Sequence, residues 1–217
     1  MAEEFQFVGG VVGIDPSLTG TGFARLEENG KLGAMGNFGT QANYGVMPER
    51  WLYIVKNILP YIQPNDIVLI EDYAYGKATG NRKNGQKSDS SVITLAELGG
   101  VLKLSVYNRT KRYPITVSST TLKAYLGDGK MKKDMMPKEV YKKLGIDCKT
   151  HDEYVALALA DLGWLASGRT PLREKTYQYE VKACKTIRDK IRNDPKLYMG
   201  DNFKTSRQVK LLGINSN

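Results

Sequence analysis

The run Asp66-Ile67-Val68-Leu69-Ile70-Glu71 constrains this chain more than any other stretch. It is apolar without alternation, so the strand it forms needs cover on both faces, as in the middle of a parallel sheet flanked by helices. Val11 to Asp15 is a second, β-branched run of the same kind. Gly20-Thr21-Gly22 turns the chain into a strand from Phe23 to Glu27, Glu28-Asn29-Gly30 signals a hairpin, and a third strand follows near Leu32 to Phe38. Pro48 to Leu59 has helical spacing, with Trp51, Ile54, Val55 and Ile58 on one face. Val92 to Val106 reads as a helix and Ile115 to Val117 as a short strand. Ser118 reads as the cap of a helix through Tyr125, followed by helices over 132–144 and 150–167. This order predicts an α/β fold with a mixed five-stranded sheet flanked by helices.

Residues 1–168 form the expected main domain. After Gly168 the composition shifts, with eleven Lys and Arg against five Asp and Glu over 170–217. We read 169–217 as a basic C-terminal extension, helical in part over 175–192. Gly76 to Ser91 is rich in Gly, Asn, Ser, Lys and Arg and reads as a mobile loop.

At 217 residues, 41% hydrophobic and 25% charged, the chain can bury a core of its own. Its net charge of +9 favours a polyanionic partner, nucleic acid foremost, over a basic surface that serves solubility. The two cysteines, Cys148 and Cys184, form no CxxC pair, which fits a reducing compartment and excludes a disulfide scaffold. The acidic N-terminus, Met1 to Phe5, does not read as a signal peptide, and no membrane span is expected. Together these features point to the cytoplasm of a bacterium or of a phage-infected cell.

Three acidic positions carry the chemistry. Asp15 ends a buried strand at the Gly- and Thr-rich turn Pro16 to Gly22. A carboxylate there either caps the turn over Ser17 or Thr19, or it is paired or binds a metal. Glu71 ends the central strand, the end at which parallel sheets place functional groups. With strands one and four side by side, the two acids approach closely enough to share a cation. Thr150-His151-Asp152-Glu153 opens an Ala-rich helix. Acids favour any first helical turn, but close packing of this helix on the sheet would bring Asp152 beside Asp15 and Glu71. Such a trio suits two hard divalent cations that act on a phosphodiester. His151, the one histidine, is either structural or a ligand or proton shuttle.

Four segments in order resemble the RuvC family of Holliday junction resolvases. They are Gly13-Ile-Asp-Pro-Ser17 with Gly20-Thr-Gly22, Ile70-Glu-Asp-Tyr73, Ser118 to Lys123 with Gly127 to Asp134, and Asp152-Glu-x-x-Ala-Leu-Ala-Leu-Ala160. The likeness covers about residues 8 to 168. It implies a ribonuclease H-like fold, a homodimer, and Mg²⁺- or Mn²⁺-dependent cleavage of four-way DNA junctions, with Asp15 and Glu71 as metal-binding acids. It also implies Lys123 and Lys133, with Lys132 alongside, near the scissile phosphate. Tyr73 or Tyr75 would wedge into the junction, and Lys77, Arg82, Lys83 and Lys87 would embrace DNA. The family ends with a ligand pair three residues apart. Direct alignment puts the second member on Val155, which cannot bind a metal, whereas a shifted register makes Asp152 the last acid and seeks a partner in His151 or Glu153. Three further readings remain open: a junction-binding protein without cleavage, another ribonuclease H-like DNA nuclease, and a nucleotide-binding protein of the actin and sugar-kinase type, which needs a second such domain.

Overall fold

The structure is a computed structural model and describes residues 9–40, 45–72, 90–169, 171 and 176–199. Its centre is a five-stranded sheet built from β1 (Val11–Asp15), β2 (Thr21–Leu26), β3 (Leu32–Phe38), β4 (Ile67–Asp72) and β5 (Ile115–Ser118), in the order β3-β2-β1-β4-β5. β1, β2 and β3 form an antiparallel meander, while β1, β4 and β5 run parallel. The mixed five-stranded sheet expected from the sequence is thus present, with β1 beside β4. The described helices are α1 (Met47–Ile58), α2 (Ser90–Thr110), α3 (Ser119–Leu126), α4 (Met136–Leu144), α5 (His151–Ala166), α6 (Gln178–Asn193) and α7 (Pro195–Met199).

Strand alternation divides the core into two layers. Val12, Ile14, Val68 and Ile70 face α1 and α2, where Ile54, Ile58, Leu98 and Leu102 are buried. Val11, Leu69, Ala24 and Val117 face α3 to α6. The middle of that second layer is α5, buried at every position from Val155 to Ala166. It lies close to the sheet because glycines leave room: a Cβ on Gly13 would collide with the Ala156 carbonyl, and one on Gly22 with the Asp152 carbonyl. The two acids that bracket β4 have different work. Asp66 is buried at the end far from Glu71, accepts hydrogen bonds from the Gly10 and Gln63 amides, and pairs with Arg25 at 2.7 Å.

One element differs from the sequence expectation. The segment expected as one helix over 132–144 is a 3₁₀ turn, Lys133–Met135, followed by α4. Pro137 lacks an amide hydrogen and fits only the first turn of a helix, so the α-helix starts at Met136. From the expected extension, α6 contributes Ala183, Cys184, Ile187 and Ile191 to the same core layer as α5. Among the described residues no helix is long and apolar enough to cross a membrane.

Candidate metal centre

Asp15 pairs with Gly22 across β1 and β2, and Gly22 pairs with Asn37 across β2 and β3. On the other side Ile14 pairs with Ile70, so the next position along both strands brings Asp15 level with Glu71. Asn37, Gly22, Asp15 and Glu71 therefore form one row across four strands, on the face that carries α5. Gly22 is the gap in that row, and the N-terminus of α5 descends into it.

That N-terminus has a division of labour. Thr150 is the N-cap, and its hydroxyl accepts from the Glu153 amide at 3.2 Å. The Glu153 carboxylate turns back to accept from the amides of Lys149 at 2.6 Å and Thr150 at 3.2 Å, completing a capping box. The expectation of Glu153 as a metal ligand is therefore corrected: its Oε2 satisfies two helix-end donors that would otherwise be orphaned, and Glu153 is not among the residues whose ligand atoms converge. Asp152 is released from capping and faces the sheet. Val155 lies in the apolar core with no exposure, so the first turn offers His151 and Asp152 instead.

Ligand atoms of Asp15, His151 and Asp152 all lie within 4.8 Å of one another. Asp15 is buried, and its Oδ2 has no hydrogen-bond partner among the described residues. It does not cap the turn that follows, because the Ser17 amide goes to Thr21 Oγ1 at 3.1 Å and the Thr21 hydroxyl returns to the Ser17 carbonyl at 2.6 Å. Burial pushes the Asp15 carboxyl well above its ordinary range, and the charges of Glu71 and Asp152 push the same way. Asp152 is held below its ordinary range: burial opposes ionisation but is outweighed by neighbouring His151 and Lys133. His151 Nε2 lies 2.9 Å from the Lys133 carbonyl. A carbonyl only accepts, so Nε2 donates in this bond, which turns Nδ1 toward Asp152. Nδ1 is buried, has no hydrogen-bond partner among the described residues, and lies 3.7 Å from Asp152 Oδ1. An imidazole fixed through one nitrogen by a backbone carbonyl is the usual arrangement of a metal-ligating histidine.

The residues therefore fit a hard divalent cation: carboxylate oxygens crowded together, one of them buried without a partner, and an oriented imidazole. Of the lysines expected near a phosphate, Lys133 is the one whose charge reaches both Asp15 and Asp152. Lys132 is exposed beside it, and Lys123 is half-buried in the last turn of α3. Tyr73, Tyr75, Lys77, Arg82, Lys83 and Lys87 lie outside the described residues. Asn37 takes part in the row but carries no sequence signal, being a single polar residue in a half-buried strand.

No protein-family model matches the chain, and no curated protein matches it. Among solved structures, Thermus thermophilus RuvC superposes with a TM-score of 0.54 and 19% identity, over 72% of this chain and 94% of that one. T. thermophilus RuvC in complex with a Holliday junction substrate superposes with the same score at 17% identity, over 70% of this chain and 91% of that one. The yeast mitochondrial Holliday junction resolvase Ydc2 aligns with a TM-score of 0.39 and 12% identity over 87% of both chains. The chain has the RuvC fold. Within it, the acidic row lies at the carboxyl ends of β1 and β4, where the N-terminus of α5 meets the sheet.

Proposed function

We propose that this protein is a divalent-metal-dependent endonuclease that cuts branched DNA, with four-way junctions as its substrate. One observation carries the reading: the buried Asp15 carboxylate, one of whose oxygens has no hydrogen-bond partner among the described residues, is surrounded by Glu71, Asp152 and the Nδ1 of His151. Repulsion among these groups is costly without a cation to share. Asp15, Glu71, Asp152 and His151 would hold Mg²⁺ or Mn²⁺. A pair of such ions, when bound, supplies an activated water and neutralises the leaving oxygen of a phosphodiester.

Lys133, with Lys132 exposed beside it, would hold the scissile phosphate against the acidic row. Tyr73 and Tyr75 follow Glu71 in the chain and would stack on unpaired bases at the branch point. Lys77, Arg82, Lys83 and Lys87 would grip the adjoining arms. Paired cuts require two sites, and a homodimer supplies them. The exposed apolar side chains Ile93, Leu104 and Tyr107 on α2 suit a subunit interface.

The test is nicking of a labelled four-way junction in Mg²⁺ or Mn²⁺. The wild type makes symmetric nicks. Asp15→Asn keeps junction binding but loses cleavage by more than the about hundredfold typical of losing an outer-shell metal partner. Unchanged cutting by that variant overturns the assignment. Buried Val155, where the family's pair would continue, favours a second reading of binding without cleavage. Tight, salt-sensitive junction binding with no cut in any divalent cation would establish it.

A further inference from the structure

The segments that carry Asp15 and Asp152 are far apart in sequence, and a side chain from a third element ties them together. The Asn37 amide nitrogen donates to the Gly20 carbonyl at 3.0 Å and to the Thr150 hydroxyl at 3.1 Å. Gly20 closes the turn that follows Asp15, and Thr150 caps the helix whose first turn holds His151 and Asp152. The acceptor side of Asn37 also reaches this junction: a Cβ on Gly20 would lie 2.7 Å from Asn37 Oδ1 and 3.1 Å from Asp152 Oδ2. The turn, the amide and the carboxylate therefore meet at one point. Asn37 is half-buried on β3, level with Gly22 and Asp15, so the sheet register fixes its location.

We infer that Asn37 is a positioning residue of the cation site, setting the separation between the Asp15 turn and the first turn of α5. The inference rests on the reading of the acidic row as a metal site. Both N–H groups of the amide are used, one on each segment, so no other side chain type of this size replaces them together. Without Asn37, Gly20 and Thr150 lose their shared donor and the two segments adjust independently. Asp15 itself and the capping box remain intact.

The test measures Mn²⁺ binding by calorimetry on the full chain, with folding followed by circular dichroism. Asn37→Ala is expected to weaken Mn²⁺ binding about tenfold, within the range for outer-shell partners, while the melting transition stays cooperative. Asn37→Asp keeps the shape but loses both donors and adds a negative charge. If charge alone mattered it would bind Mn²⁺ more tightly; as a positioning residue it binds more weakly. Thr150→Ser, which keeps the acceptor, retains wild-type affinity, and Thr150→Val weakens it. Wild-type affinity in Asn37→Ala, or tighter binding in Asn37→Asp, overturns the inference. If Asn37→Ala does not fold, Asn37→Asp and the Thr150 pair decide by the same criteria. Failure of the wild type itself to bind Mn²⁺ would instead overturn the metal-site reading beneath it.

Discussion

Burial, together with the charges of Glu71 and Asp152, favours a proton on Asp15 when no cation is bound. The folded-state value lies above the unfolded one, so between the two the folded chain holds the extra proton. The stability contributed by this group is present in acid and falls as pH rises from the ordinary carboxylate range through the folded value. Asp15→Asn removes that loss. The metal-free variant is expected to melt higher than the wild type at neutral pH, by about 2–4 °C for each kcal/mol relieved. The gain vanishes below the ordinary carboxylate range, where both states of the wild type are protonated. Saturating Mg²⁺ reverses the order, because it stabilises only the chain with the carboxylate. A melting temperature at neutral pH that is unchanged or lower in the metal-free variant would remove the case for repulsion at this position.

At the scale of the element, α5 begins with two adjacent acids of opposite use, and separate variants distinguish them. Glu153→Ala is expected to lower stability in urea by about 1–2 kcal/mol through the lost capping box while Mn²⁺ binding persists. Asp152→Asn is expected to leave the capping box and a cooperative melt intact and to abolish Mn²⁺ binding. Exchanged outcomes would mean that the helix presents its other acid to the sheet. The sequence shows that this turn is acidic and precedes a helix, but both acids suit a first turn, and only the hydrogen bonds at Lys149 and Thr150 separate them. The strands ending in Asp15 and Glu71 are legible, because an apolar run without alternation has few places in a fold. The break before α4 is legible in principle from Pro137. Asn37 is not, because its partner Thr150 lies 113 residues away and no local pattern reports it.

For the whole molecule, the basic extension has an amphipathic inner face that averaged composition conceals. Several of its cations are spent inside the protein. Arg188 donates to the carbonyls of Leu165 and Ala166 at the end of α5, and Lys190 donates to the Thr116 carbonyl on edge strand β5; one of its acids, Glu180 of α6, forms a buried pair with Lys143 of α4. A fragment ending at Gly168 would expose β5 and the apolar surface that α6 covers, a combination prone to association. Size-exclusion chromatography is expected to show aggregates, and the fragment to lack a cooperative melt. A monomeric fragment that melts like the full chain would make α6 dispensable. The three acids at positions 15, 71 and 152 have a consequence in time as well as in space. A chain still on the ribosome, with β1 and β4 released but α5 not yet made, holds at most two of them. The proposed cutting activity therefore cannot arise before α5 has been made, a delay that needs no separate inhibitor.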